Sequence, residues 1–351
     1  MAIYLSEKDS KKVDTYYTHK SYVAGKTAGE LEFIDSNVVR VFSPLTTPLN
    51  DYKRSGTNRY GEPQDVENEV QEFILTQDKA FSLVIDKVTA KSSNGTMKAE
   101  ARLKQEVDEQ VLPTQDKYAY KQFIKHAGNV VSAATPTKNT FLEMLSDAGA
   151  RIDNSIAPDE NRFAVISASY FSKLRVADAV LHLETIGDKV LRRGVITNVM
   201  GFWLVKVPDF YLPAGAHFLC YQKNSVENPH KIADTKIHTD PPGISGSLME
   251  GRFLYDAFVK NHKSGGVYAA VASGSKQADP TISVSGGVAT FTSEGAEEIK
   301  YTLDGSDPRY SKEAKTVQSG GTATVDAAKV KEIKAVAYGT FTSDVASKKV
   351  E

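Results

Sequence analysis

The side chains suited to acid-base, nucleophilic or metal chemistry are spread thinly along this chain. Its seven histidines (His19, His126, His182, His217, His230, His238 and His262) form no H-x-x-x-H pair and no Cys-His cluster, so the spacing that would organise a zinc ion is missing. Cys220 is the only cysteine and has no internal disulfide partner. GTNRYGEP (56–63) has glycines five apart, but no Lys-Ser/Thr follows and no strand-to-helix turn surrounds it, which argues against a phosphate loop. GISGS (243–247) has the wrong spacing for a nucleophile elbow. Asn94-Gly95-Thr96 is a glycosylation sequon by chance in a chain expected to stay in the cytoplasm. Carboxylates are numerous but stand in no recognisable frame. No catalytic, cofactor-binding or metal-binding residue is assigned, and no enzymatic activity is expected. The suggestive charges lie elsewhere. Lys53, Arg54 and Arg59 fall on one side of a long polar loop, and Glu62, Asp65, Glu67 and Glu69 on the other, a pattern suited to complementary contact between copies of the chain.

That loop separates two β-branched, nearly alternating runs, SNVVRVFS (36–43) and EVQEFILT (69–76), which predict the two strands of a projecting ribbon. A connection of about 25 residues without structure of its own is unusual in a compact domain. A lone two-stranded ribbon is marginal in water, so this one should rest on something, such as a neighbouring subunit. Residues 1–36 are polar with scattered aromatics and no sustained period, and predict an arm laid over another surface or left disordered.

The longest helix-patterned run is 96–128. Ala99, Leu103, Val107 and Val111 recur every four residues and form one apolar stripe. Glu100 with Lys104 and Arg102 with Glu106 are i,i+4 pairs. Pro113 should kink or restart the helix, Thr114 could cap the second half, and Gly128 suits its stop. Beyond it, NTFLEMLSDAGA (139–150) reads as a helix, RFAVISASYFSKLR (162–175) as a strand running into a helix, and 190–208, 216–223 and 267–272 as further strands. The expectation is an α+β body with helices segregated from short antiparallel strands.

A small-residue linker, SGSKQADP (273–280), then precedes about seven short strands, with Gly286-Gly287 suited to a tight hairpin and a turn at Asp304, Gly305, Asp307 and Pro308. This predicts an all-β sandwich of immunoglobulin-like type. A formal net charge of -1 argues against a dedicated nucleic-acid binder. The start, MAIYLSEKDSKK, lacks a signal-peptide core, and no run resembles a membrane span.

The order of these parts resembles the major capsid protein of tailed bacteriophages, of the Hong Kong-type fold, over roughly residues 1–272. It rests on the ribbon SNVVRVFS...EVQEFILTQDKAFSLVID, the helix MKAEARLKQEVDEQVLPTQDKY, AVISASYFSKLR, GVITNVMGFWLVKVP and GRFLYDAFVKNHKSGGVYAAVA. The resemblance implies an N-terminal arm (1–36), an extended E-loop with its base (37–89), peripheral and axial domains with the linker (90–277), and a surface domain (278–351). It implies a shell of pentamers and hexamers around double-stranded DNA touched non-specifically, portal and scaffolding partners, location in the virion after assembly in the host cytoplasm, and no membrane. The E-loop tip would then carry Lys53, Arg54, Arg59, Glu62 and Asp65. The phrase IKYTLDGSDPRYS (299–311) is similar to the C-terminal domain of chitobiase-type hexosaminidases. This gives a surface turn of Tyr301, Asp304, Gly305, Asp307 and Pro308, with weak glycan binding as the sharper expectation and a ligand-free fold as the plainer one. Alternatives are an encapsulin-like shell and a carbohydrate-binding or hydrolytic protein centred on the C-terminal module. The linker implies a flexibly tethered knob, dispensable for shell closure.

Overall fold

The computed structural model describes residues 17, 20–31, 33, 37–44, 49–61, 68–88, 98–175, 198–309, 311, 313–326 and 330–350. The ribbon forms as its alternation predicts. β1 (Val38–Pro44) and β2 (Asn68–Ile74) pair antiparallel, with Arg40 opposite Glu72 and ion-paired to it at 2.8 Å. β3 (Gln77–Asp86) leaves that ribbon and becomes an edge strand of a separate three-stranded sheet.

The long helix bears the mark of its proline. α1 (Ala99–Glu106) runs into a π-helical turn at Val107–Val111, and α2 (Leu112–Lys125) continues from it. Pro113 has no N–H and its ring crowds the carbonyl one turn back, so the turn before it widens. The Leu112 N–H consequently reaches back five residues to Val107 O. The axis is bulged rather than restarted, and Thr114 does not cap it; the N-cap position is Val111, with no side-chain bond. Arg102 turns to Gln105 Oε1 at 2.6 Å, and Gln105 onward to Glu109 at 2.8 Å, in place of the expected Arg102–Glu106 pair.

The body is built on a six-stranded sheet. Its members are β4 (Asn129–Ala133), β5 (Arg162–Ser167), β6 (Asn198–Val199), β7 (Phe202–Val207), β8 (Ala216–Gln222) and β13 (Val267–Ala272), in the order β4-β13-β8-β5-β7-β6. It is mixed rather than antiparallel, because β4 lies parallel to β13 and β5 parallel to β7. α3 (Thr140–Asn154) and α4 (Ala168–Arg175) supply the intervening helices. Both faces are covered, and successive residues alternate between two cores. Val165, Leu219, Tyr221, Val267 and Ala269 face Ala119, Tyr120 and Phe123 of α2. Ala164, Ile166, Phe218, Cys220 and Tyr268 face Phe141, Leu145 and Ile152 of α3.

β9 (Val226–Glu227) pairs with β12 (Phe258–Val259). β10 (His230–Thr239) and β11 (Gly246–Tyr255) complete the β10-β11-β3 sheet beside α1. The C-terminal strands are β14 (Thr281–Ser285), β15 (Val288–Thr292), β16 (Glu298–Thr302), β17 (Lys315–Val317), β18 (Gly321–Thr324), β19 (Glu332–Tyr338) and β20 (Ala346–Lys349). They form sheets β14-β15-β18 and β17-β16-β19-β20 packed face to face, with Phe291 stacked on Tyr301 at 4.4 Å. The first hairpin turns at Gly286 and Gly287, both at positive φ (57° and 77°), a conformation open to glycine at little steric cost.

Candidate functional site

Exposed apolar and charged groups concentrate on the ribbon. Phe42 is 63% exposed, Tyr60 84% and Leu49 102%, more apolar surface than a free two-stranded ribbon would carry comfortably. The tip is ordered by its own bonds. Lys53 N–H donates to Arg59 O (3.0 Å), Gly61 N–H to Asn58 O (3.0 Å) and Arg59 Nε to Gly56 O (3.2 Å), while Tyr52 and Tyr60 meet edge to face at 5.1 Å. Gly61 sits at φ 90°, a left-handed conformation that favours glycine, with the Asn50 side-chain amide packed over it. The turn therefore presents Lys53, Arg54 and Arg59 to solvent together. Glu62, Asp65 and Glu67 lie outside the described residues.

The ribbon's root and the arm are pinned by the three buried carboxylates among the described residues, Asp116, Glu227 and Asp256. Asp256 Oδ2 accepts from Thr76 N–H (2.8 Å) and Thr76 Oγ1 (2.7 Å), and its Oδ1 accepts from Tyr118 of α2 (2.8 Å) and from Ala257 N–H (2.7 Å). Burial, together with the Asp256 charge, pushes the Tyr118 phenol up to about 12, so it stays a donor. Gln71 adds bonds to Val259 O and Asn261, and Phe73, Leu75 and Leu254 form a small core with Phe33 of the arm. Part of the support expected from a neighbour thus comes from the ribbon's own chain, at its root.

The arm is held in the same manner. Asp116 accepts from Ser21 Oγ and Tyr22 N–H, each at 2.6 Å, and Val23 is fully buried in the α2 core. Burial pushes the Asp116 carboxyl up, and the Ser21 and Tyr22 bonds offset part of that. Glu227 accepts from Gly29 N–H (2.8 Å) and Glu30 N–H (3.1 Å) and pairs with Lys260 at 2.9 Å, which also meets Glu30. Sequence reading missed these anchors. A lone acid inside FLYDAFV was the available signal for Asp256, whereas Asp116, within a charged helix-patterned run, carried no signal of its own.

The C-terminal turn is saturated by local bonds. Asp304 Oδ1 accepts from Ser306 N–H (3.1 Å) and Oγ (2.6 Å), and Thr302 Oγ1 donates to Ser306 O (2.6 Å). Gly305 sits at φ 79°. Tyr301 is in the sandwich core, Pro308 is buried, and Asp307 grips Arg309. Three histidines among the described residues serve packing and surface roles, and His19 and His182 lie outside those residues. His217 bonds Tyr170 (2.8 Å) and approaches Ala133 O (3.3 Å), His230 stacks on Tyr255, and His238 meets Glu250 at 3.4 Å. Cys220 lies in the α3-side core, where burial pushes its thiol up. Among the described residues no group of three or more His, Cys, Asp or Glu could hold a metal, and no helix is long and apolar enough to cross a membrane.

No protein-family model matches the chain, and no curated protein matches it. Solved structures do. One from Mycobacterium phage Che8 aligns with a TM-score of 0.65 at 17% identity, over 76% of this chain and 96% of that one. The capsid structure of cyanophage P-SCSP1u gives 0.63 at 11% identity, over 77% and 93%. The mature capsid of bacteriophage PhiM1 gives 0.62 at 15% identity, over 78% and 93%. At such identities the likeness is one of fold: this chain has the α+β fold found in phage capsids, with a C-terminal all-β sandwich.

Proposed function

We propose that the chain is the major capsid protein of a tailed bacteriophage. Copies join through rings of five and six into an icosahedral head around double-stranded DNA, with the sandwich on the outer surface, as part of the virion. Assembly takes place in the host cytoplasm, with portal and scaffolding proteins as partners. The observation that carries this reading is a phage-capsid fold whose ribbon is pinned at its root by Asp256 yet bears exposed Phe42, Leu49 and Tyr60 beyond it. Neighbouring copies supply the missing cover, and closed symmetry lets one chain meet that need everywhere on the shell. Lys53, Arg54 and Arg59 join the contact across copies, with Glu62 and Asp65 as the opposing charges. A single exposed pair is worth about 0 to 1 kcal/mol, but a shell repeats it many times. Replacing Arg54 and Arg59 by Glu should cut shell yield in sedimentation and light scattering while circular dichroism stays unchanged. Normal yield with normal salt sensitivity would refute the tip's role.

A further inference from the structure

We infer that the C-terminal sandwich is docked on the body as a clamp, with Thr342 on the carboxyl end of α2, and that its Asp-Gly-Ser-Asp-Pro-Arg turn recognises the connection just beyond that end rather than a soluble ligand. A helix leaves its last carbonyls without intrahelical partners, and cations or hydroxyl donors at that end are favourable. Here the sandwich provides both. Thr342 Oγ1 donates to the helix's last carbonyl, Lys125 O, and Arg309 Nη1 donates to Gly128 O, in the connection three residues beyond the helix, at 3.1 Å. Arg309 is aimed in advance: Asp307 holds its guanidinium at two points, Nε to Oδ1 at 3.0 Å and Nη2 to Oδ2 at 2.7 Å. The bonds among Thr302, Asp304 and Ser306 fix the turn that positions Asp307, which gives each conspicuous residue of the phrase a use within the chain.

Three further contacts surround these. Lys125 Nζ pairs with Glu297 at 2.7 Å, and the His126 ring lies 5.7 Å from that of Tyr338. Phe341, 3% exposed, belongs to the body's α2-side core rather than to the sandwich's own. It abuts Gly215, where a Cβ would come within 3.3 Å of its ring. The linker is stapled as well. Gln277 donates to Ser293 and Glu294, and Lys276 pairs with Asp344 at 2.5 Å. A flexibly tethered knob, the expectation from the linker's composition, does not describe this arrangement. The clamp also borders the ribbon. A crevice of about 350 Å³ separates Lys300 and Tyr338 of the sandwich from Gln71 and Phe73 of β2, so release of the clamp would open the wall beside the ribbon's root.

These contacts lie within one chain, so the docking is separable from shell formation. The test uses the full chain carrying Arg309→Ala with Thr342→Val. Tryptic cleavage at Lys276 should quicken at least tenfold, and amide exchange at 122–128 should rise, while β16 and β19 stay protected. Should that double variant lose protection throughout the sandwich, the Lys125–Glu297 pair decides: Lys125→Glu and Glu297→Lys should each speed cleavage, and the two together should slow it again. Unchanged cleavage and exchange in these variants would overturn the inference. So would saturable binding of N,N′-diacetylchitobiose to residues 304–309 of the intact chain with no change at the end of α2.

Discussion

Acidification from pH 7 to pH 5 should loosen the sandwich from the body through His126. This ring sits between the end of α2 and β19, beside Tyr338, with the ammonium groups of Lys125 and Lys300 near it and Arg309 and Ser264 lining the same crevice; Glu297 is engaged by Lys125. Burial, then the Lys300 and Lys125 charges, lowers its pKa from the ordinary 6.5 to about 3. The docked state therefore holds His126 neutral, whereas an undocked His126 takes up a proton below its ordinary pKa. Stability contributed by docking is complete above that value and is lost as pH falls toward the docked one. Between pH 7 and pH 5 the full shift corresponds to about 2 kcal/mol; His126 is only partly buried and lines the crevice, so about 1 kcal/mol is the working figure. That is about a fivefold rise in the undocked fraction. Tryptic cleavage at Lys276, with the enzyme's own pH dependence removed using an unstructured reference peptide, reads that fraction. His126→Gln cannot titrate and should flatten the profile. An identical acid response in wild type and His126→Gln would refute the reasoning, since His217 and His230, also lowered by burial, lie away from this contact.

Two more expectations follow from the buried carboxylates. Asp256→Ala strands the Thr76 amide and hydroxyl and the Tyr118 phenol, at a cost of about 2–3 kcal/mol, and should raise exchange at residues 74–78 well before the six-stranded sheet responds; uniform exchange across both would contradict a hinge at the ribbon's root. Glu227→Gln keeps the size but loses the charge facing Lys260 and the Gly29 and Glu30 amides, so proteolysis within residues 20–31 should quicken while the melting temperature moves little, and an unaltered digestion pattern would remove Glu227 as an arm anchor.

Much of the architecture was legible in the sequence because its period was strong. The ribbon strands, α3, β5 running into α4, and the C-terminal strands β14, β15, β16 and β19 follow their apolar period. β10 was missed. HKIADTKIHT is polar and largely exposed, and becomes a strand only by pairing along β11, a tertiary cause that propensity does not carry. The sheet's mixed character was hidden for a similar reason: strands buried on both faces, such as VYAAVA, read as continuous apolar runs that leave pairing direction open. The C-terminal turn illustrates the limit for the sites. Asp304, Gly305 and Pro308 announce a tight turn in any context, but that Arg309 beyond it meets Gly128, just past the end of α2 and 181 residues earlier, depends on packing. The tip cations were legible as exposed charge, while the anchors Asp116, Glu227 and Asp256 became recognisable only once their amide partners were in place.

The most direct test of the central claim is negative-stain microscopy of the full chain, expressed alone and with the proteins encoded beside it. The account predicts closed shells whose surfaces resolve into rings of five and six subunits. A chain that stays a folded monomer under every assembly condition, a co-expressed scaffold included, would contradict it.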